Sequence, residues 1–136
     1  MITEVIYVKD GGDKTFVIVD AAMNDLIRPT LYEAWHEIMP VEAITTDAPR
    51  IRADIVGPVC ETGDYLALDR EMAAPKAGDL MAIGSAGAYG AVQAGTYNSR
   101  RLIPEVLVKG ERFHVIRPRL DYDALIALDS VPDWLD

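Results

Sequence analysis

The sequence predicts a mainly β fold, a single barrel or sandwich with short helices, and three observations carry that expectation. Short runs of β-branched and aromatic residues recur, Gly and Pro punctuate them, and 136 residues are enough to bury one core but not two. Half of the residues are apolar and 26% are charged, globular proportions that exclude disorder and collagen-like repeats.

The chain opens on a hairpin pattern. Residues 2–8 and 15–19 are β-branched and aromatic, and Asp10-Gly11-Gly12-Asp13 supplies the turn. After Asp20 the pattern becomes helical: Asn24-Asp25 can cap, Pro29 suits a first turn, and Leu31-Tyr32-Glu33-Ala34-Trp35 favour one or two turns. Strand-like runs return at 35–41, 51–59, 65–69, 80–83, 105–108 and 113–116, separated by Gly57-Pro58, Pro75, Gly78, Pro104, Gly110 and Pro118. Residues 121–128 read as a short closing helix with Asp121 at its positive end. No repeat, low-complexity tract or linker interrupts the pattern, so residues 1–136 read as one β-rich domain.

Charge narrows the function classes. Thirteen Lys and Arg against 22 Asp and Glu leave a net charge of −9, which repels a phosphate backbone and offers no polybasic patch to an anionic membrane. Nucleic acid and membrane are therefore excluded as first expectations. Cys60 is the one cysteine and cannot form an internal disulfide. The start lacks the basic and apolar regions of a signal peptide, and a cytoplasmic protein is expected. Residues 80–99 carry no charge and have the length of a membrane span, but Gly84, Gly87, Gly90 and Gly95 among several polar residues make them buried or site-lining backbone instead.

Four features could carry chemistry. His36 and His114 lie far apart without acidic or cysteine neighbours at ligand spacing, so no metal site is expected. Cys60-Glu61-Thr62-Gly63-Asp64 follows a strand ending in Gly57-Pro58, which places thiol and carboxylate where a sheet opens into a loop. The bland alternative there is a buried thiol and an exposed glutamate in a turn. Ser85-Ala86-Gly87-Ala88-Tyr89-Gly90 surrounds one tyrosine with small residues that admit close backbone approach to an anion, or simply pack strands tightly. In Arg28-Pro29-Thr30-Leu31-Tyr32 a helical turn puts a guanidinium and a phenol on one face, a receptor for a carboxylate or else a surface arginine beside a half-buried tyrosine.

In this order the segments resemble the C-terminal domain of the diaminopimelate decarboxylase family, pyridoxal-phosphate-dependent enzymes of the alanine racemase and ornithine decarboxylase fold group. The resemblance rests on Val19-Asp20-Ala21-Ala22-Met23-Asn24-Asp25, Arg28-Pro29-Thr30-Leu31-Tyr32-Glu33-Ala34, Gly57-Pro58-Val59-Cys60-Glu61-Thr62-Gly63-Asp64, Gly78-Asp79-Leu80, Gly87-Ala88-Tyr89-Gly90, Tyr97-Asn98 and Pro104-Glu105-Val106-Leu107-Val108. It implies a β-barrel or sandwich domain that follows a (β/α)8 barrel.

The resemblance also implies roles. Arg28 and Tyr32 are expected to hold the substrate carboxylate at the non-reacting end, and Tyr89 to reach substrate and cofactor near the cofactor phosphate. Cys60 and Glu61 are expected to cross a two-fold homodimer interface into the partner's active site. There Glu61 would bind the distal amino group and Cys60 would be the catalytic proton donor. Ornithine-type relatives have Cys-Asp at this place and lack the arginine and tyrosine, so the set favours meso-diaminopimelate, decarboxylated to L-lysine. Thr62 stands where Ser is commoner and keeps the hydroxyl.

The family's Schiff-base lysine and phosphate loop lie in the barrel, which needs roughly 250 residues. None of Lys9, Lys14, Lys76 and Lys109 sits in the family's lysine context. The expectation is therefore a domain that is inactive alone, with Met1 marking an artificial start, a truncated reading frame or a cleavage site. Two rivals remain: a stand-alone β-domain for dimerisation or binding, and a decarboxylase of another basic amino acid such as ornithine or carboxynorspermidine.

Overall fold

Alternation of apolar and polar residues builds the first hairpin. In a computed structural model, β1 (Ile2–Asp10) pairs antiparallel with β2 (Thr15–Val19), with Val8 opposite Val17 and Asp10 opposite Thr15. Thr3 and Val5 point into the core while Ile2 and Glu4 face out. At the turn Gly12 takes φ 88°, and its N–H donates to Asp10 Oδ1 at 2.9 Å. The structure describes residues 1–42 and 48–135, in two units, Met1–Ala94 and Gly95–Asp136.

The first unit is a curled half-barrel of six strands. β3 (Ile38–Pro40), β4 (Arg50–Val56), β5 (Tyr65–Ala73) and β6 (Leu80–Ile83) join the hairpin in the order β3-β6-β1-β2-β4-β5. Every neighbouring pair is antiparallel except β2 and β4, which run parallel with Val17 opposite Ile55. Val5, Val17, Val19, Leu26, Ile55, Leu66, Met81 and Ile83 fill the concave face. In the second unit β7 (Glu105–Lys109) and β8 (Arg112–Arg117) form a hairpin turned at Gly110, φ 60°, and α2 (Tyr122–Ile126) follows. Asp121 caps α2 as its position foretells, accepting from the Ala124 N–H at 2.7 Å.

Tertiary contacts, not local propensity, set the element ends that differ from expectation. The strand expected over 35–41 begins only at Ile38. Upstream, the His36 carbonyl accepts from Arg70 Nη2 at 3.0 Å, and the Arg70 guanidinium stacks 4.6 Å from the Trp35 ring. The strand expected over 51–59 stops at Val56, because the Gly57 N–H turns to the Asp64 carbonyl at 3.0 Å. Asn24-Asp25 do not cap α1 (Arg28–Tyr32), whose N-cap is Ile27 without a side-chain bond. The Asp25 carboxylate folds back instead to accept from the Ala22 N–H at 2.9 Å and Asn24 Nδ2 at 3.1 Å. Of residues 80–99 only Met81, Ile83 and Gly90 are buried.

Candidate functional site

α1 is a single short helix between two bends. Pro29 fixes its first turn and is buried, and Glu33 ends it in the left-handed region at φ 54°. Arg28 and Tyr32 are four apart and share a face, with the guanidinium carbon 5.7 Å from the Tyr32 ring centroid. A second phenol comes from the turn after β6: Tyr89 lies 6.0 Å from the same carbon. Tyr89 is 70% exposed and held at φ 60°, a backbone region that costs a side-chain-bearing residue about 1–2 kcal/mol. Its neighbour Gly90 seats that turn, since a Cβ there would lie 3.1 Å from Leu26 Cδ1. Tyr89 thus faces outward from a well-seated turn in a strained backbone conformation.

Cys60 and Glu61 lie on the loop between β4 and β5, both exposed, and Cys60 carries a free thiol. The loop is built around one buried carboxylate. Asp64 Oδ2 accepts from the Val59 N–H at 2.6 Å, and Oδ1 accepts from the Met23 N–H at 2.6 Å. Local bonds tighten it further: Glu61 N–H to the Val59 carbonyl at 2.8 Å, Asp64 N–H to the Glu61 carbonyl at 3.0 Å, and Gly63 N–H to Glu61 Oε1 at 3.4 Å. A Cβ on Gly57 would run into the Asp64 carboxylate, so glycine is needed at that point.

The two segments are joined directly. The Thr30 hydroxyl on α1 donates to the Gly63 carbonyl, and the Tyr65 hydroxyl donates to the Pro29 carbonyl at 3.4 Å. The structure therefore brings Arg28, Tyr32 and Tyr89 together and stitches the Cys60–Glu61 loop beside them. Chemically the assembly offers a guanidinium, two phenols, a thiol and a carboxylate. The set can bind both ends of a zwitterionic amino acid group and hold a transferable proton at sulfur.

The histidines make separate contacts. His36 is buried, with Nδ1 3.0 Å from the Gly84 carbonyl and Nε2 without a partner, and His114 lies on β8. Among the described residues no three His, Cys, Asp or Glu groups are gathered to hold a metal ion. Nor is any described helix long and apolar enough to cross a membrane. Sequence reasoning gave Asp64 and Thr30 no role of their own. The available signal was a short polar side chain in a turn, a type that commonly satisfies backbone N–H and C=O groups.

Comparison with known proteins identifies the family and the fold. A diaminopimelate decarboxylase of Zymomonas mobilis is 52% identical over 99% of this chain and 31% of its own length. One of Aquifex aeolicus is 51% identical over 93% of this chain and 30% of its own length. The crystal structure of diaminopimelate decarboxylase from M. jannaschii in co-complex with L-lysine superposes with TM-score 0.89 at 36% identity, over 96% of this chain and 30% of that one. The enzyme from Helicobacter pylori complexed with L-lysine gives TM-score 0.84 at 41% identity, over 93% and 30%. This chain thus spans under a third of the length of the relatives it matches. Residues 1–87 match the family described as pyridoxal-dependent decarboxylase, C-terminal sheet domain, and the chain belongs to that family.

Proposed function

We propose that residues 1–136 act as the C-terminal domain of a decarboxylase that converts meso-diaminopimelate to L-lysine and CO2, working as a homodimer in the cytoplasm. One observation carries this reading: Arg28 lies within about 6 Å of both the Tyr32 and Tyr89 rings, on a helix fastened to the Cys60–Glu61 loop. A substrate with an amino acid group at its far end needs a cation and an anion together, and Arg28 of one protomer with Glu61 of the partner subunit, reaching across the two-fold interface, supplies that pair. Relatives named diaminopimelate decarboxylase at about half identity support the substrate, and lysine-bound structures of such enzymes support the product. A lone exposed thiol suits a reducing compartment.

Arg28 grips the distal carboxylate through its planar fork, with Tyr32 donating from the same face. Glu61 takes the distal ammonium. The two grips set the length of substrate accepted and aim its other end. Pyridoxal phosphate, which the family uses, supplies the electron sink at the carbon that loses CO2. The residues here fit one wall of its site: the exposed Tyr89 hydroxyl can donate to its phosphate, while the patch offers no amine to carry it. Cys60 Sγ holds the proton that replaces CO2 on that carbon.

The test is made on the full-length protein that contains this chain. With pyridoxal phosphate added, it should release CO2 from meso-diaminopimelate and yield lysine, with ornithine and carboxynorspermidine much poorer. No release from diaminopimelate would overturn the reading, and faster release from ornithine would move it to another basic amino acid.

A further inference from the structure

We propose that Asp64 is a positioning residue that sets the Cys60–Glu61 loop against the Arg28–Tyr32 helix, with Thr30 as its second fastening. This deepens the decarboxylase reading and rests on it. Asp64 is 4% exposed, and each carboxylate oxygen takes one backbone amide, Val59 within the loop and Met23 on the segment that leads into α1. Val59 adjoins Cys60, and Met23 begins the turn that precedes Arg28. A carboxylate needed only to shape its own loop would take its amides from that loop. This one spends half its acceptor capacity on a segment 41 residues away.

Thr30 closes the other side. Its hydroxyl donates to the carbonyl of Gly63, which stands between Glu61 and Asp64 and lets Thr30 come close, since a Cβ there would lie 2.8 Å from Thr30 Cγ2. Gly57 likewise leaves the space that the Asp64 carboxylate occupies. Loop and helix are thus held at two points, one on each side of the substrate-facing pair. A shift of either segment alters the placing of thiol and carboxylate relative to guanidinium, whichever protomer's substrate each side chain reaches. Misplacement on the order of 1 Å is enough to cost a large factor in rate.

The chemistry requires two acceptors. Asn at position 64 keeps the shape but turns one acceptor into a donor, which faces an amide N–H and leaves it unsatisfied. Glu keeps both acceptors and carries them one methylene too far.

The experiment uses the full-length protein with Asp64→Asn, Asp64→Glu, Thr30→Val and Thr30→Ser. It reads kcat and KM for diaminopimelate, and hydrogen exchange of the Met23 and Val59 amides against the Ile55 amide of β4 as control. Asp64→Asn should speed exchange at Met23 and Val59 by about tenfold or more while Ile55 is unchanged, and should raise KM by about tenfold. Thr30→Val should raise KM in the same direction, and Thr30→Ser should restore the parent value.

Parent-like exchange at both amides overturns the proposal. So does faster exchange with kcat and KM within about twofold of the parent, which leaves a merely structural role. If Asp64→Asn does not fold, Thr30→Val decides, and parent-like kinetics in that variant overturn the proposal. An active parent with unaffected variants sinks the positioning role alone. A parent that releases no CO2 sinks the decarboxylase reading, and the positioning role with it.

Discussion

Arg28 is steadied by two phenol rings, but at 5.7 and 6.0 Å both contacts lie at the outer limit of cation–π attraction and orient the side chain more than they stabilise it. Its worth should therefore appear in substrate binding rather than in folding. In the full-length protein, Arg28→Ala should raise KM for diaminopimelate by about tenfold to hundredfold, the equivalent of about 1.5–3 kcal/mol for a lost charge-assisted contact. Arg28→Lys should restore little of it, because an ammonium cannot reproduce the planar fork. Steady-state kinetics with a melting control checks both. Tyr89 makes the opposite trade. Tyr89→Gly relieves its left-handed backbone, so melting temperature should hold or rise while affinity for pyridoxal phosphate falls, read by melts and cofactor titration. The candidate substrate-contacting side chains were picked out by the ordered set of motifs and its family resemblance, since the chemistry of guanidinium, thiol and carboxylate alone left a bland alternative open at each. Asp64 and Thr30 were not, because their partners are backbone groups 41 and 33 residues away.

At the scale of elements, the strands were legible and their ends were not. Alternating β-branched residues mark β1, β2 and β4 without help. The end of β4 is decided by Asp64 and the late start of β3 by Arg70 and His36, neither of which leaves a local trace. Gly57 is the sharpest case. Gly57→Ala would push a methyl group into the Asp64 carboxylate, and unfolding measurements should show a loss of about 1–3 kcal/mol. The ladder between β4 and β5 carries another buried carboxylate. Asp54 accepts from Lys14 Nζ at 2.9 Å and from the Asp69 N–H at 2.6 Å. The hydrogen bond from Lys14 to Asp54, and after it their charge attraction, raises the Lys14 ammonium above its ordinary value. A raised value in the folded state means that the contribution is fully present below the unfolded lysine value, about 10.4, and is lost as pH rises through the folded one. The parent's melting advantage over Lys14→Met should therefore hold up to the ordinary lysine value, about 10.4, and shrink only as pH rises beyond it. The change will be small, since the lysine end is 61% exposed and screened by water.

Across the whole molecule, acidity and exposed apolar surface oppose each other. A net charge of −9 holds copies apart, while Ile2, Leu80, Met39, Phe113, Leu107 and Trp35 stand exposed. Sedimentation of the 136-residue chain should show self-association that strengthens with salt. Raising ionic strength from about 0.1 to about 1 M shortens the screening length from about 10 to about 3 Å. A monomer at every salt concentration would count against an intact dimer face on this domain. The mainly β class was legible at this scale, since it follows from the spacing of strands and turns. The parallel pairing of β2 with β4 was not, because no local pattern announces it. Parallel neighbours cannot be joined by a tight turn, so the chain must leave the sheet after β2 and return on the same side. Residues 20–37 make most of that excursion, and they carry Arg28, Thr30 and Tyr32. The ladder fixes where this excursion departs and lands, and Asp64, Thr30 and Tyr65 fasten it in between through Met23, Gly63 and Pro29. The long detour that the parallel pairing demands is thus also the stretch that carries the guanidinium and the phenol to one place.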